Sequence, residues 1–327
     1  MKKINEDIKL NQFKNVYLLF GEEDYLKIQY RDKLVRAVMP EEDTMNYAHF
    51  AGKGLSEGEI IDLAETMPFF AEHRVIVLED TGFFKNAAEK LPDYMKELPE
   101  YLVMVFVEQE VDKRNRMYKA VQKAGYAAEF AKQTEQTLLT WVAGILKKNQ
   151  KSITRGDAEY LLSRTGTDMS NIYSEVEKLI CYAYDRPVIT KKDIDAVCTE
   201  QMENRIFEMI RAVTERNQKK ALDLYYDLLA LKEPPMRILF LMAKQFNQLL
   251  QAKELTEHGN NQKEIESKLG VPGFVARNAV NCARQYTKDE LENIVRDCTQ
   301  TEEDVKTGRL TDTLSVELLI VKYSAKA

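Results

Sequence analysis

A chain of 327 residues is too long for one small hydrophobic core and predicts two or three domains. Its 44% hydrophobic and 31% charged residues are typical of a soluble globular protein, and the net charge of −6 argues against autonomous nucleic-acid binding, which needs a concentrated basic surface. No apolar run reaches the roughly 18 residues that span a bilayer, and the start of the chain lacks the apolar segment of a signal peptide. We therefore expect a cytoplasmic protein that makes no membrane contact.

The elements predicted over the first 133 residues alternate between strand and helix. Helical spacing predicts helices over residues 22–38, from about 56 to 65, and over 115–124. Short apolar runs bounded by turn residues predict five strands, namely Val16–Phe20, Asn46–Phe50, Arg74–Glu79, Tyr101–Glu108 and Tyr126–Phe130. Strands that alternate with helices imply a parallel sheet covered on both faces.

After Phe130 the strand pattern stops, and the spacing of apolar residues predicts helices for the rest of the chain. A small helical domain is predicted from segments 134–146, 154–163, 168–182 and 190–198. A larger helical domain follows, with segments 204–216, 218–231, 235–258 and 262–269 and two more helices to the C-terminus. The predicted fold class is therefore α/β plus all-α, with domains over 1–133, 134–203 and 204–327.

The turn after the first strand occupies the position of a phosphate-binding loop. Its sequence, Gly21-Glu22-Glu23-Asp24, has one glycine, three carboxylates and no Lys-Ser or Lys-Thr pair. A phosphate loop needs converging N–H groups and a lysine, and three acids would repel a triphosphate. The acids that end two later strands, Glu79-Asp80 and Glu108, are then best interpreted as solvated strand ends rather than magnesium ligands.

The cysteines and histidines form no metal or nucleophile motif. The three histidines lie far apart in the sequence, and no C-x-x-C pair exists among the four cysteines, Cys181, Cys198, Cys282 and Cys298. We expect no cofactor, no metal and no catalytic residue in this chain.

An apolar cluster, Met67-Pro68-Phe69-Phe70, stands between a predicted helix and the strand that starts at Arg74. One interpretation is that the two aromatic rings fold back into the core, as large apolar side chains usually do. The other is that they form an exposed anchor for a pocket on a partner protein, because connecting loops run over the surface.

Two further segments are weaker candidates. The densest basic patch, Lys113, Arg114, Arg116 and Lys119, is either a solvated helix start or a contact for DNA or an acidic partner. The sequence of residues 262–285 is similar to a helix–turn–helix motif. Arg277 and Arg284 are the only arginines there, so a packing role is favoured over DNA recognition.

The chain resembles the delta subunit of the bacterial DNA polymerase III clamp loader over nearly its whole length, in order and with the family's spacing. The similarity lies in the segments Tyr17-Leu18-Leu19-Phe20-Gly21-Glu22-Glu23-Asp24-Tyr25, Pro68-Phe69-Phe70-Ala71-Glu72-His73-Arg74-Val75-Ile76-Val77-Leu78, Asp112-Lys113-Arg114, Tyr118-Lys119, Ser174-Glu175-Val176-Glu177-Lys178-Leu179 and Asp304-Val305-Lys306-Thr307-Gly308. Each segment is weak alone, and together they are specific.

The resemblance implies an AAA+-like α/β domain without a P-loop, a helical lid domain and a helical collar that holds the subunit in a ring of loader chains. It also implies a non-catalytic subunit of the DNA polymerase III holoenzyme that binds the sliding clamp and opens it. The implied partners are the clamp, the ATPase and delta-prime type loader subunits, and DNA within the assembled complex. Carried over from the family, the clamp-binding element falls on Met67, Pro68, Phe69 and Phe70, although the family often has leucine where this chain has Phe69.

Two alternatives remain open from the residues themselves. One is an AAA+-fold ATPase with a degenerate nucleotide loop. The other is a helical DNA-binding regulator that uses residues 262–285.

Overall fold

The computed structural model describes residues 1–39, 44–86, 88–198 and 202–325, with the side chains of 202–204 excepted. The chain divides into two compact units, Met1–Gln133 and Thr134–Ala327. Each unit has a hydrophobic core of its own.

The first unit is built on a five-stranded sheet in the order β2-β3-β4-β1-β5, and every neighbouring pair of strands is parallel. The strands are β1 (Val16–Phe20), β2 (Tyr47–Ala51), β3 (Arg74–Glu79), β4 (Leu102–Glu108) and β5 (Tyr126–Glu129). Strands β1, β3 and β4 are buried on both faces, as expected for central parallel strands. Because the strands are parallel, their starts share one edge of the sheet and their ends share the other.

The helices of the first unit connect these strands and cover the sheet. They are α1 (Lys2–Leu10), α2 (Asp24–Val38), α3 (Glu57–Glu65), α4 (Leu91–Tyr94) and α5 (Arg116–Ala124). The predicted parallel α/β class is confirmed, and the predicted strand bounds are right to within one residue. Helices α1 and α4 are additions that the sequence pattern did not indicate.

The second unit consists almost entirely of helices. They are α6 (Glu135–Lys148), α7 (Arg155–Thr165), α8 (Met169–Tyr182), α9 (Lys191–Val197), α10 (Met202–Thr214), α11 (Gln218–Ala230), α12 (Pro235–Glu257), α13 (Gln262–Leu269), α14 (Gly273–Ala283), α15 (Lys288–Lys306) and α16 (Asp312–Ser324). Two short parallel strands, β6 (Ser152–Ile153) and β7 (Val188–Ile189), correct the prediction that no strand follows Phe130.

The long helix α12 is central to the second unit. It begins at Pro235, where the missing N–H of proline costs nothing, and it packs against α10, α13, α14, α15 and α16. Three helices follow Leu269, not the two that were predicted. The predicted division of this unit near residue 203 stays a prediction, and residues 199–201 beside it lie outside the described residues.

Candidate functional site

The apolar cluster lies on the loop between α3 and β3, at the sheet edge where the strands begin. We call Met67, Pro68, Phe69 and Phe70 the apolar tip. The exposed fraction is 74% for Met67, 57% for Phe69 and 94% for Phe70. The interpretation that both aromatic rings fold back into the core is therefore wrong.

The local sequence explains how the chain leaves α3 and presents the tip. Ser56 caps the start of α3 by accepting a hydrogen bond from the Glu59 N–H. The helix ends at Glu65, whose carbonyl accepts a hydrogen bond from the Tyr101 hydroxyl at 2.9 Å. Pro68 then disfavours helical backbone at the residue before it, so the chain turns away from the helix axis.

The two aromatic rings of the tip contact each other edge to face, with centroids 4.5 Å apart. The backbone at Phe70 is left-handed, with φ of 51°. Such backbone is rare for a bulky L residue and tends to occur at functional sites.

Two buried polar side chains hold the backbone of the tip. The Asn46 amide nitrogen donates to the Phe69 carbonyl at 2.8 Å, and the Phe69 N–H donates to the Asn46 amide oxygen at 2.6 Å. The Arg74 guanidinium donates to the carbonyls of Thr66 (2.7 Å) and Met67 (3.2 Å). Neither residue was predicted from the sequence as part of the site; the signal that could have pointed to them is a polar residue just before, or at the first position of, an apolar strand.

The opposite sheet edge holds the turn at the phosphate-loop position, and this turn is hydrogen-bonded to the neighbouring strand ends. The Gly21 N–H donates to the Glu108 carbonyl at 3.2 Å, and the Glu23 N–H donates to the Phe130 carbonyl at 3.0 Å. A Cβ atom on Gly21 would lie only 2.5 Å from the Phe130 carbonyl oxygen. These two N–H groups therefore already have protein acceptors and do not converge on an open cradle.

Glu79 and Glu108, the acids that end β3 and β4, also have protein partners. Glu79 forms an ion pair with Arg31. The Glu108 carboxylate accepts hydrogen bonds from the Thr81 N–H at 3.0 Å and the Thr81 hydroxyl at 2.5 Å, and burial raises the pKa of Glu108. Glu108 is thus buried and joins the end of β4 to the loop after β3, which corrects its interpretation as a solvated strand end. In the described part of the chain, no group of three or more His, Cys, Asp or Glu residues is arranged to hold a metal ion.

The basic patch is less basic in the structure than in the sequence. Lys113 pairs with Glu129 at 2.7 Å, Arg114 with Asp112 at 3.1 Å and Arg116 with Asp93 at 2.6 Å, while Lys119 is exposed on α5. The hydrogen bond that Lys113 donates to Glu129 raises the pKa of Lys113, and the hydrogen bond that Arg114 donates to Asp112 raises that of Arg114. The acids offset most of the positive charge that a phosphate backbone would meet.

The helix–turn–helix segment belongs to the packing of the second unit. Small residues of α14, including Ala276, Ala279 and Ala283, are buried. The Arg277 guanidinium lies 3.3 Å from the Glu135 carboxylate.

None of the described helices is long and apolar enough to cross a membrane.

Comparison with known structures places this fold among the DNA clamp loader subunits. The chain resembles the solved structure of the Bacillus subtilis DNA clamp loader delta protein, with a TM-score of 0.70, 27% identity and coverage of 99% of each chain. The architecture is accordingly AAA+-like, with a parallel-sheet domain followed by helices.

The sequence comparisons identify the family. The model for "DNA polymerase III, delta subunit" matches residues 17–130, and the model for "DNA polymerase III delta subunit, C-terminal domain" matches residues 203–323. DNA polymerase III subunit delta of Bacillus subtilis (strain 168) is 28% identical over 331 residues, covering 97% of this chain and 95% of that protein. A probable DNA polymerase III subunit delta of Aquifex aeolicus (strain VF5) is 24% identical over 294 residues, covering 86% and 83%. The chain belongs to the DNA polymerase III delta subunit family.

Proposed function

We propose that this clamp loader subunit binds the sliding clamp of DNA polymerase III through its apolar tip and opens the clamp ring for loading onto primed DNA. The observation that carries the proposal is the exposure of Met67, Phe69 and Phe70 on a loop held by hydrogen bonds from two buried side chains. Aromatic side chains bury about 150–250 Å² each in an interface and are enriched among the residues that dominate binding energy.

Opening the clamp requires no covalent chemistry from this chain. A protein that binds the open form of a ring more tightly than the closed form shifts the population toward the open form by its differential affinity. The apolar tip would supply that affinity. Neighbouring loader subunits would bind and hydrolyse ATP, in keeping with the occupied N–H groups at Gly21 and Glu23.

The helical second unit would hold the subunit in the loader. The two family models match residues 17–130 and 203–323 separately, which supports a lid over 134–203 and a collar over 204–327. The collar would contact the ATPase and delta-prime type subunits. Lys113, Arg114, Arg116 and Lys119 would touch DNA or a partner only within the assembled cytoplasmic complex.

The test is clamp binding by alanine variants of the tip. With sliding clamp on a sensor surface, Phe69→Ala and Phe70→Ala should each weaken binding by about 2 kcal/mol or more, which is roughly 30-fold. Tyr184→Ala is the matched control, because Tyr184 is an aromatic residue of the second unit that is 88% exposed. Unchanged clamp affinity in folded Phe69→Ala and Phe70→Ala variants would refute the proposal.

The two alternative functions make different predictions. Saturable ATP binding by the isolated chain in calorimetry would support a degenerate ATPase. Sequence-specific duplex binding with a steep salt dependence would support a DNA-binding regulator. The pairing of Arg277 with Glu135 and the burial of α14 favour the packing role of residues 262–285.

A further inference from the structure

The side chain of Asn46 makes an unusual pair of contacts with a loop residue that lies 23 positions later in the chain. Asn46 is completely buried, and its carboxamide satisfies both backbone polar groups of Phe69, the carbonyl at 2.8 Å and the N–H at 2.6 Å. We infer that Asn46 is a positioning residue that holds the apolar tip in its binding conformation before the clamp arrives. This inference rests on the clamp-binding function proposed above.

The geometry of the pair explains how one side chain can fix the loop. A carboxamide carries one acceptor and two donors, so it can face a peptide group as a neighbouring strand would. Asn46 directly precedes β2, which is hydrogen-bonded to β3. The backbone of Phe69 is therefore tied to the sheet, and because Asn46 is buried, water cannot take its place without opening the structure.

A second buried side chain holds the other side of the tip. Arg74 is the first residue of β3 and is 5% exposed, and its guanidinium donates to the carbonyls of Thr66 and Met67. These carbonyls follow the C-terminus of α3, where a positive charge also complements the helix dipole. The loop is thus held on both sides of Pro68.

These contacts hold a loop whose aromatic side chains remain exposed to solvent. Phe69 and Phe70 remain 57% and 94% exposed, and Phe70 keeps a left-handed backbone that L side chains rarely adopt. Fixing exposed rings adds little to the packing of the free protein. It does reduce the entropy that is lost on binding, because the loop and its side chains are already ordered.

Clamp binding by Asn46→Ala, compared with Asn15→Ala, tests the inference. Asn15 is the matched control, because it lies at the same sheet edge and donates to the carbonyls of Pro99 and Leu102, both at 2.9 Å, without contacting the tip. If only a tenth or less of the Asn46→Ala population keeps the tip positioned, the apparent Kd rises by about tenfold or more. We expect at least that increase, and no change for Asn15→Ala.

Two further measurements separate positioning from general stability. Combined with Phe70→Ala, Asn46→Ala should weaken binding by a smaller factor than it does alone, because one of the rings that Asn46 positions is then missing. In the free wild-type chain, the Phe69 amide hydrogen should already be protected from exchange, and this needs no variant. Free exchange of that hydrogen at the unprotected rate, or full additivity of the two substitutions, would overturn the inference.

The same experiment distinguishes the two levels of the proposal. If Phe70→Ala weakens clamp binding and a folded Asn46→Ala does not, only the positioning role of Asn46 fails. If Phe70→Ala itself binds the clamp as the wild type does, the proposed function fails.

Discussion

At the scale of single residues, Phe70 is unfavourable for the stability of the free chain. Its ring is 94% exposed, so it gains little from burial, and its left-handed backbone costs an L residue roughly 1–2 kcal/mol. Residues that keep such strain are common at binding sites, where the surrounding structure enforces it. Here the buried side chains of Asn46 and Arg74 hold the backbone just before Phe70 by hydrogen bonds to Thr66, Met67 and Phe69.

Replacing Phe70 with glycine and with alanine should separate backbone strain from ring contacts. Both substitutions remove the ring and its contact with Phe69, but only glycine adopts positive φ without a steric penalty. We expect Phe70→Gly to be more stable than Phe70→Ala by about 1 kcal/mol in urea unfolding, with clamp binding weakened in both. Equal stability of the two variants would mean that the backbone at this position is not strained.

The supporting residues of the site could not be predicted from residue types. Asn46 precedes β2 and Arg74 is the first residue of β3, positions where polar residues usually face water, and only the structure places them inside. Glu23 was predicted to repel phosphate as one of three acids in a turn, yet it is 1% exposed and lies 3.5 Å from Lys132. Burial of a polar group depends on partners distant in sequence, which a local pattern does not contain.

At the scale of elements, prediction succeeded where burial imposes a strong local pattern. The central strands are apolar except for charged residues at their ends, so their bounds were right to within one residue. Helix α1 is mostly charged and α4 has only four residues, so neither produces a long apolar period. The start of α15 did leave a signal, because Thr287 and Glu290 form a capping box that marks a new helix.

Glu57 links two helices of the first unit and should make that link sensitive to acid. Its carboxylate accepts hydrogen bonds from the N–H groups of Glu89, Lys90 and Leu91 at the start of α4. Burial alone would raise the pKa of Glu57, but these hydrogen bonds outweigh it and lower the pKa below its ordinary value of 4.5. The carboxylate therefore stabilises the fold fully above about pH 4.5, and this contribution is lost as the pH falls through the lower folded-state pKa.

We accordingly expect Glu57→Gln to lower the free energy of unfolding at pH 7. The difference in free energy of unfolding between the variant and the wild type should become smaller as the pH is lowered past 4.5. Urea unfolding at a series of pH values measures both effects. Glu59→Gln, an exposed position in the same first turn of α3, should leave the pH profile unchanged. A constant difference between Glu57→Gln and the wild type at every pH would contradict the assigned role of the carboxylate.

At the scale of the whole molecule, the chain combines two compact units whose sizes are ordinary for independently folding domains. The apolar tip and the closed turn at Gly21 both belong to the first unit, on opposite edges of one sheet. All four cysteines and the single tryptophan, Trp141, belong to the second unit. This uneven distribution allows the second unit to be followed selectively in solution.

Thiol labelling of the native chain should therefore modify one cysteine quickly and the other three only on unfolding of the second unit. Cys181 is exposed, whereas Cys198, Cys282 and Cys298 are buried. Burial raises the pKa of Cys198 and of Cys298 to about 12, so these thiols lack the reactive thiolate as well as access to the reagent. Across a urea titration, we expect the three slow thiols to become reactive together with the change in Trp141 fluorescence. Rapid labelling of a second cysteine before the Trp141 transition would show that the second unit does not unfold in one step.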